Sequence, residues 1–260
     1  GVDIMIIKLN STYHSRVMKY LKKEPEYNLF IIGDIERYGY GNNFLNIWAD
    51  VGEHGEIKAI LLKYFEFMMF YSDGEYDVEG FYNLLRNTNY EEISGKICAV
   101  DALAKRLGLN NLKVVDFCKL QTKKFLIDNN CNAKVKRIRL GNLKKTVKLY
   151  DLIDEFHSTT LENLKNGLRT GRGYCIEINK QVVSMAKSTS ENRTHAMIIG
   201  VGTHPKYRAK GLATKCLIKL CSELLRENKI PCLFYDNEEA GKIYKKLGFE
   251  NIGKWGIYSK

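Results

Sequence analysis

Proline and paired cysteines are scarce in this chain of 260 residues, and each scarcity excludes a class of protein. With three prolines and no Ser/Gly/Pro-rich tract, the sequence gives no sign of a disordered arm. The seven cysteines form no C-x-x-C pair, so the ligand spacing of a structural zinc site is absent. An odd number of cysteines without such pairs is typical of a reduced, cytoplasmic chain.

Long apolar runs are missing as well. No stretch approaches the roughly 20 apolar residues that a membrane-spanning helix needs. The first residues lack the charged start and the apolar core of a secretory signal, so we expect a cytoplasmic protein with no membrane partner. Hydrophobic residues make up 45% of the chain and charged residues 27%, which is typical of a globular protein with a sizeable core.

Negative charge is depleted in the second half of the chain. Residues 1–121 hold 14 Lys and Arg against 17 Asp and Glu, whereas residues 122–260 hold 27 against 13, a formal net charge of +14. The second half alone would therefore attract an anionic partner. A solvated lysine surface accounts for most of these side chains without any partner.

Hydrophobic periodicity divides the second half into strands and helices. Apolar residues recur at helical spacing over 143–156, and two short strands further on meet at the tight turn Asn179-Lys180. A longer strand over about 194–203 leads directly into a helix over about 210–227. A short strand, a helix over 237–248 and a closing strand complete the pattern.

The first half repeats this order more faintly, as strand, helices, three strands, helix and strand. The stretch "MIIKLN" in the first half corresponds to "KRIRLG" in the second, and "STYHSRVMKYL" corresponds to "NLKKTVKLYDLI". Such recurrence predicts two copies of one α/β unit, each a mixed sheet flanked by helices. We place the join in "LIDNNCNA", where Asn and Asp interrupt the pattern, and predict domains over residues 1–128 and 129–260.

A basic corner joins the long strand to its helix in "THPKYRAKGLATK", residues 203–215. The first N–H groups of a helix have no intrahelical acceptor, and the helix dipole makes that end positive, so several donors stabilise a phosphate there. Gly211 permits close approach because it lacks a Cβ, and Arg208 and Lys210 add positive charge. The corner suits a pyrophosphate, although it contains neither G-x-x-x-x-G-K-[ST] nor G-x-G-x-x-G.

At this point the sequence resembles the GNAT acyltransferases, a family that binds acetyl-coenzyme A. "RAKGLA" (208–213) is similar to the family's R/Q-x-x-G-x-G/A motif, and "NEEAGKIYKKLGF" (237–249) resembles its second signature. The good match covers about residues 133–260, and the first half resembles the degenerate N-terminal domain of the tandem members. The resemblance implies a GNAT-like α+β fold with one cofactor site, since "FMMFYSDGEYDVEGF" is acidic at the corresponding place in the first half.

The resemblance also implies contacts to acetyl-coenzyme A, or another acyl-coenzyme A, without a metal ion. The pantetheine arm is expected to pair with the backbone of Val201, Gly202 and Thr203 on a splayed strand. The pyrophosphate is expected to meet the N–H groups of the corner. That set is Arg208, Ala209, Lys210, Gly211, Leu212, Ala213 and Thr214. Asn237 is expected to contact the cofactor, although capping of its own helix would explain it as well.

Tyr244 is the candidate catalytic residue. Acetylation of an amine passes through a tetrahedral intermediate that expels a thiolate, and a positioned phenol can donate a proton to that thiolate. The ordinary alternative is a helix tyrosine packed among Ile243 and Leu247, but the place of Tyr244 in the motif favours the catalytic role. The general base stays open between a water chain and four residues: Glu177, Glu191, His195 and His204.

The leading hypothesis is an N-acyltransferase that moves an acyl group directly to a primary amine of a small molecule or peptide in a ternary complex. A non-enzymatic coenzyme A-binding module is the alternative, motivated by the missing base. A nucleic-acid binder is suggested by the basic residues 134–148, but no RNA- or DNA-reading motif is present, so we expect no nucleic-acid partner.

The acceptor is not readable from the sequence, and monomer and dimer both stay open. In this family, acceptor specificity sits in the two early helices and the loops near the domain join, here residues 149–174. Three acids in that segment would attract an amine, although solvated helix acids are far more frequent. These are Asp154, Glu155 and Glu162.

Overall fold

The computed structural model describes residues 5–125, 134–156 and 158–260. The described chain divides into two compact units, the first formed by Gly1–Phe117 with Ile252–Lys260 and the second by Cys118–Asn251. The predicted join at 126–133 lies outside the described residues, so the boundary between 128 and 129 stays a prediction. None of the described helices combines the length and the apolarity that crossing a bilayer requires.

Unit 1 contains a mixed sheet with helices. Its elements are β1 (Met5–Lys8), α1 (His14–Leu21), α2 (Leu29–Tyr38), β2 (Leu45–Val51), β3 (Ile57–Tyr64), β4 (Phe67–Ser72), α3 (Val78–Leu85), β5 (Glu92–Lys96), α4 (Ile97–Arg106) and the first residues of β6 (Asn111–Leu120). Strands β1 to β4 pair antiparallel in sequence order, whereas β5 pairs parallel to β4. Apolar side chains from β3, β4, α3 and α4 form its core.

Unit 2 repeats the arrangement. After the end of β6 its elements are β7 (Val135–Arg137), α5 (Leu143–Asp151), α6 (Leu161–Thr170), β8 (Gly173–Ile178), β9 (Gln181–Thr189), β10 (His195–Thr203), α7 (Leu212–Arg226), β11 (Ile230–Tyr235), α8 (Glu238–Leu247) and the first residues of β12 (Phe249–Ser259). Strands β7 to β10 pair antiparallel, and β11 pairs parallel to β10. Both residues of the predicted turn, Asn179 and Lys180, have the positive φ of a tight hairpin turn.

The order of elements is the same in both halves: strand, two helices, three strands, helix, strand, helix, strand. This confirms the predicted repeat and the predicted α/β fold with mixed sheets. The sequence did not reveal β5, because "EISGK" contains little β-branched or aromatic character. Pairing with β4 on one side and with β12 on the other forms this strand.

Helix α7 packs its apolar face into the core of unit 2. Cys216 and Cys221 are fully buried in that core beside Leu217 and Leu220. The six described cysteines are free thiols. Free cysteines at such positions behave as small apolar side chains. Cys131 lies outside the described residues.

Helix α5 is shorter than predicted, and this difference shapes the site. The helical spacing predicted a helix over 143–156, but α5 ends at Asp151 and the chain continues in turns. Ile153 remains buried, because its side chain packs in the same cluster as Tyr150 and Phe156. The apolar periodicity therefore marked residues that face the core correctly, while the backbone leaves the helix.

Candidate functional site

Strand β10 is interrupted by a bulge just before the backbone predicted to bind the cofactor. Its register against β9 is regular as far as Ile199 and is shifted at Gly202. Gly200, within the bulge, has a φ of +60°, in the left-handed region that favours glycine. The hydroxyl of Tyr150 on α5 donates a hydrogen bond of 2.8 Å to the Gly200 carbonyl. Helix α5 thus holds the bulge in place.

The bulge coincides with the separation of β10 from β11. Their parallel pairing runs from His195 with Ile230 to Ile198 with Leu233 and does not continue along the described remainder of β10. The backbone over 201–203 is therefore not used in a ladder with β11. A polar chain with amide groups could occupy the opening as an added strand.

Replacing Gly200 by alanine should destabilise unit 2. A Cβ there would collide with the Tyr150 hydroxyl, and the left-handed backbone adds strain for any L-residue. We expect the free energy of unfolding to fall by about 2–4 kcal/mol, measured by denaturant unfolding. The control is Gly167→Ala on α6, where a Cβ meets no atom within 4 Å and should stabilise by about 0.5–1 kcal/mol. Equal stability of the two variants would contradict this account of the bulge.

The corner after β10 leads into α7, whose N-terminus has no side-chain cap among the described residues. Gly211 is the N-cap residue of α7 with a φ of +71°, and no side chain in the described part of the chain caps this end. Ala209 is also left-handed, at +62°. Turns of this kind point successive N–H groups into a concavity that binds anions. Arg208 donates from Nε to the Thr203 carbonyl at 3.2 Å, and Lys210 lies over the Tyr207 ring at 5.5 Å.

A cavity of about 470 Å³ opens between the parted strands and the start of α7. This volume is within the range of small-molecule sites. All twelve residues predicted for the site line it, so the structure brings them together, while their roles stay predictions. They are Val201, Gly202, Thr203, Arg208, Ala209, Lys210, Gly211, Leu212, Ala213, Thr214, Asn237 and Tyr244.

Asn237 caps α8, so the structural explanation for this residue holds. Its side-chain oxygen accepts hydrogen bonds from the N–H groups of Glu239 and Ala240, at 2.8 and 3.4 Å. Asp236 also lines the cavity. A contact between Asn237 and the cofactor stays a prediction, because the cap leaves its amide nitrogen available to donate.

Tyr244 lies on α8 with its ring packed against two aromatic neighbours. The Tyr235 ring is 6.1 Å away between centroids, and the Phe249 ring is 6.0 Å away in a T-shaped arrangement. Burial raises the pKa of Tyr244 to about 12, and the charge of Glu155 adds to the rise. The phenol therefore keeps its proton at neutral pH, as a proton donor must.

The two glutamates considered as general bases are held in ion pairs. Glu177 binds Lys136 and Lys145 at 2.8 and 3.1 Å, and the hydrogen bond from Lys136 lowers its pKa. Glu191 accepts from Arg172 at 2.6 Å. Neither lines the cavity. Glu177 also offsets one of the two positive charges that Lys136 and Lys145 bring to the basic stretch 134–148.

The two histidines considered as general bases have local structural contacts. Nδ1 of His195 lies 2.7 Å from the hydroxyl of Thr194, and the residue is buried. Nδ1 of His204 accepts a hydrogen bond of 3.1 Å from the N–H of Lys206. Neither ring belongs to the residues that line the cavity. The base is therefore to be sought elsewhere on the wall or in water.

One wall of the cavity comes from the segment that follows α5. Ile153, Glu155 and Phe156 line the cavity, and a Cβ at Gly202 would touch Ile153 and Phe156. The sequence pointed to this wall through the family resemblance, which places acceptor specificity in residues 149–174, and through the acids considered as amine-binding residues. The helical spacing over 143–156 did not predict the wall itself, because these residues lie beyond the end of α5.

The corresponding helix of unit 1 is closed by its own carboxylates. Asp77 caps α3 and accepts from the Gly80 N–H at 2.9 Å, and Asp50 accepts from the Asp77 N–H at 2.8 Å. The N–H groups of Asp77 and Gly80 are thus already used, and two carboxylates stand where a phosphate would have to bind. Among the described residues, no three His, Cys, Asp or Glu come close enough together to hold a metal ion.

Comparison with known proteins identifies a family and a fold. The GNAT acetyltransferase family model matches residues 46–258. A Drosophila protein of known structure is 12% identical, with 99% of each chain covered and a TM-score of 0.71. A GCN5-related N-acetyltransferase from Sphaerobacter thermophilus is 11% identical, covering 99% of this chain and 95% of that chain, with a TM-score of 0.67.

A tandem protein matches over the same extent. A tandem GNAT protein from the clavulanic acid biosynthesis pathway is 12% identical, covering 99% of this chain and 98% of that chain, with a TM-score of 0.61. Identities this low establish a shared fold and nothing about substrates. Since the match extends over both units, the shared fold is the tandem one.

Proposed function

Because this chain belongs to the GNAT acetyltransferase family, we propose that it is an N-acyltransferase that uses acetyl-coenzyme A, or another acyl-coenzyme A, to acylate a primary amine. One observation carries the proposal. The uncapped N-terminus of α7 and the phenol of Tyr244 face the same cavity. An anion-binding end and a proton donor in one cavity are what a transfer from an anionic thioester requires.

The residues present fit such a cofactor. The N–H groups at the start of α7, with Arg208 and Lys210, would hold its pyrophosphate, and each hydrogen bond to a charged group contributes about 1.5–3 kcal/mol. The backbone over 201–203, which does not pair with β11, would hold the pantetheine amides. The lack of a Cβ at Gly211 keeps the approach to the helix start open.

When bound, the cofactor supplies an acyl group activated as a thioester. The wall of the cavity orients the amine towards the carbonyl carbon, where the C–N bond forms first and the C–S bond then breaks. Tyr244 donates its proton to the departing sulfur, whose conjugate acid has a pKa of about 8.5 by analogy with cysteine. The ammonium group first loses one proton to water or to a base on the wall, and the second proton that the nitrogen releases as the amide forms restores the phenol of Tyr244.

Acetyl-coenzyme A binding and amine-dependent thiol release test the proposal. Calorimetry with the wild-type chain should give a micromolar dissociation constant, on the order of the substrate affinities usual for enzymes. Thiol release should then rise on addition of a primary amine. Tight binding without amine-dependent release would favour the non-enzymatic coenzyme A-binding module. No binding would show that the proposal is wrong.

A further inference from the structure

Charged residues of both signs line the cavity. Arg208 and Lys210 stand at the start of α7, where the phosphate end of the cavity lies, whereas Glu155 comes from the segment after α5. The charge of Glu155 is close enough to Tyr244 to raise the pKa of that phenol. One carboxylate therefore stands at the end of the cavity where the acyl group would be transferred.

Glu155 is free to bind a cation from outside. In the described part of the chain no hydrogen bond or ion pair to its carboxylate is present, in contrast to Glu177 and Glu191, which each bind two cationic side chains. Asp236 also lines the cavity, but it lies at the end of β11 beside the capped start of α8. Glu155 is thus the acid best placed to meet an incoming ammonium group.

Apolar residues line the wall next to Glu155, which is itself exposed. Its neighbours Ile153 and Phe156 flank it on the wall beside Gly202. Ile243 on α8 also lines the cavity and is 43% exposed, a large fraction for an isoleucine. Apolar surface of this kind gains free energy when a ligand covers it.

We propose that Glu155 binds the ammonium group of the acceptor, and that the acceptor is a primary amine with a compact apolar body. This inference rests on the proposed acyl transfer and assigns the acceptor end of the same cavity. It concerns affinity and orientation: the carboxylate holds the amine beside the transferring carbon, and the apolar wall covers its body. The ammonium then loses its proton before attack.

Amine binding to a dead-end complex tests the proposal. The full chain is saturated with desulfo-coenzyme A, which cannot react, and titrated with 2-phenylethylamine or with the neutral 2-phenylethanol. We expect the amine to bind the wild type, and Glu155→Gln to weaken its affinity at least tenfold. The affinity of the alcohol and that of desulfo-coenzyme A should stay within twofold.

Asp154→Asn is the matched control, because it removes the same charge from the adjacent residue, which does not line the cavity. It should leave amine affinity within twofold. An equal loss in both variants, no loss in Glu155→Gln, or no amine binding to the wild-type complex would overturn the assignment of Glu155. Failure of desulfo-coenzyme A to bind would instead overturn the proposed function.

Discussion

Replacement of Gly211 by aspartate should abolish acetyl-coenzyme A binding and leave the fold intact. A Cβ at this position meets no atom within 4 Å, and aspartate tolerates the left-handed backbone better than most residues. The new carboxylate would occupy the place of the phosphate and repel it.

The expected loss in affinity is at least about 100-fold, equivalent to about 2.8 kcal/mol, measured by calorimetry. Gly211→Asn is the control, because it has nearly the same shape and tolerates the same backbone without the charge. It should bind at least tenfold more tightly than the aspartate variant. Thermal unfolding should be unchanged in both. Wild-type affinity in Gly211→Asp would show that the pyrophosphate binds elsewhere.

Replacement of Tyr244 by phenylalanine should lower kcat by about 100-fold or more while the dissociation constant of acetyl-coenzyme A changes little. The phenol proton is lost but the ring contacts with Tyr235 and Phe249 are kept. General acid catalysis typically contributes 10²–10⁴-fold to the rate, about 3–5 kcal/mol in the barrier. Steady-state kinetics with a saturating amine measure the change.

Tyr235→Phe is the control for Tyr244, because it removes another phenol that lines the same cavity. Its kcat should stay within threefold of the wild type. The pKa of Tyr244, about 12, also predicts that no alkaline loss of activity below about pH 11 comes from this phenol. An unchanged kcat in Tyr244→Phe, or an equal fall in both variants, would end its assignment as the acid.

Local sequence was sufficient for most of the elements and for the residues at the start of α7 that line the cavity. The run from β10 through Gly211 into α7 is contiguous, so its strand period, its corner and its helix period are all visible in one stretch. The second motif, which contains Asn237 and Tyr244, is equally local. Because each motif keeps its geometry within one strand–turn–helix segment, the predicted residues could be named before their contacts were known.

Other features depend on contacts between residues far apart in the chain. Tyr150 holds Gly200 through a hydrogen bond across 50 positions, and β5 owes its form to its partners rather than to its residues. Residues 252–260 belong to unit 1, where β12 pairs with β5, although their place at the end of the chain suggested the second domain. Periodicity records which face of an element is buried, not which partner buries it.

At the acceptor end of the cavity, too, local sequence predicted some features and tertiary contacts decided the others. The pattern over 143–156 correctly marked apolar side chains that face inward, but it also predicted a continuous helix that would have kept Glu155 on a regular helical surface. After Asp151 the chain continues in turns, and Ile153 and Phe156 pack beside Gly202. In this conformation Glu155 lies on the cavity wall. The helix ended where tertiary packing outweighed local propensity, a balance between interactions that are distant in sequence.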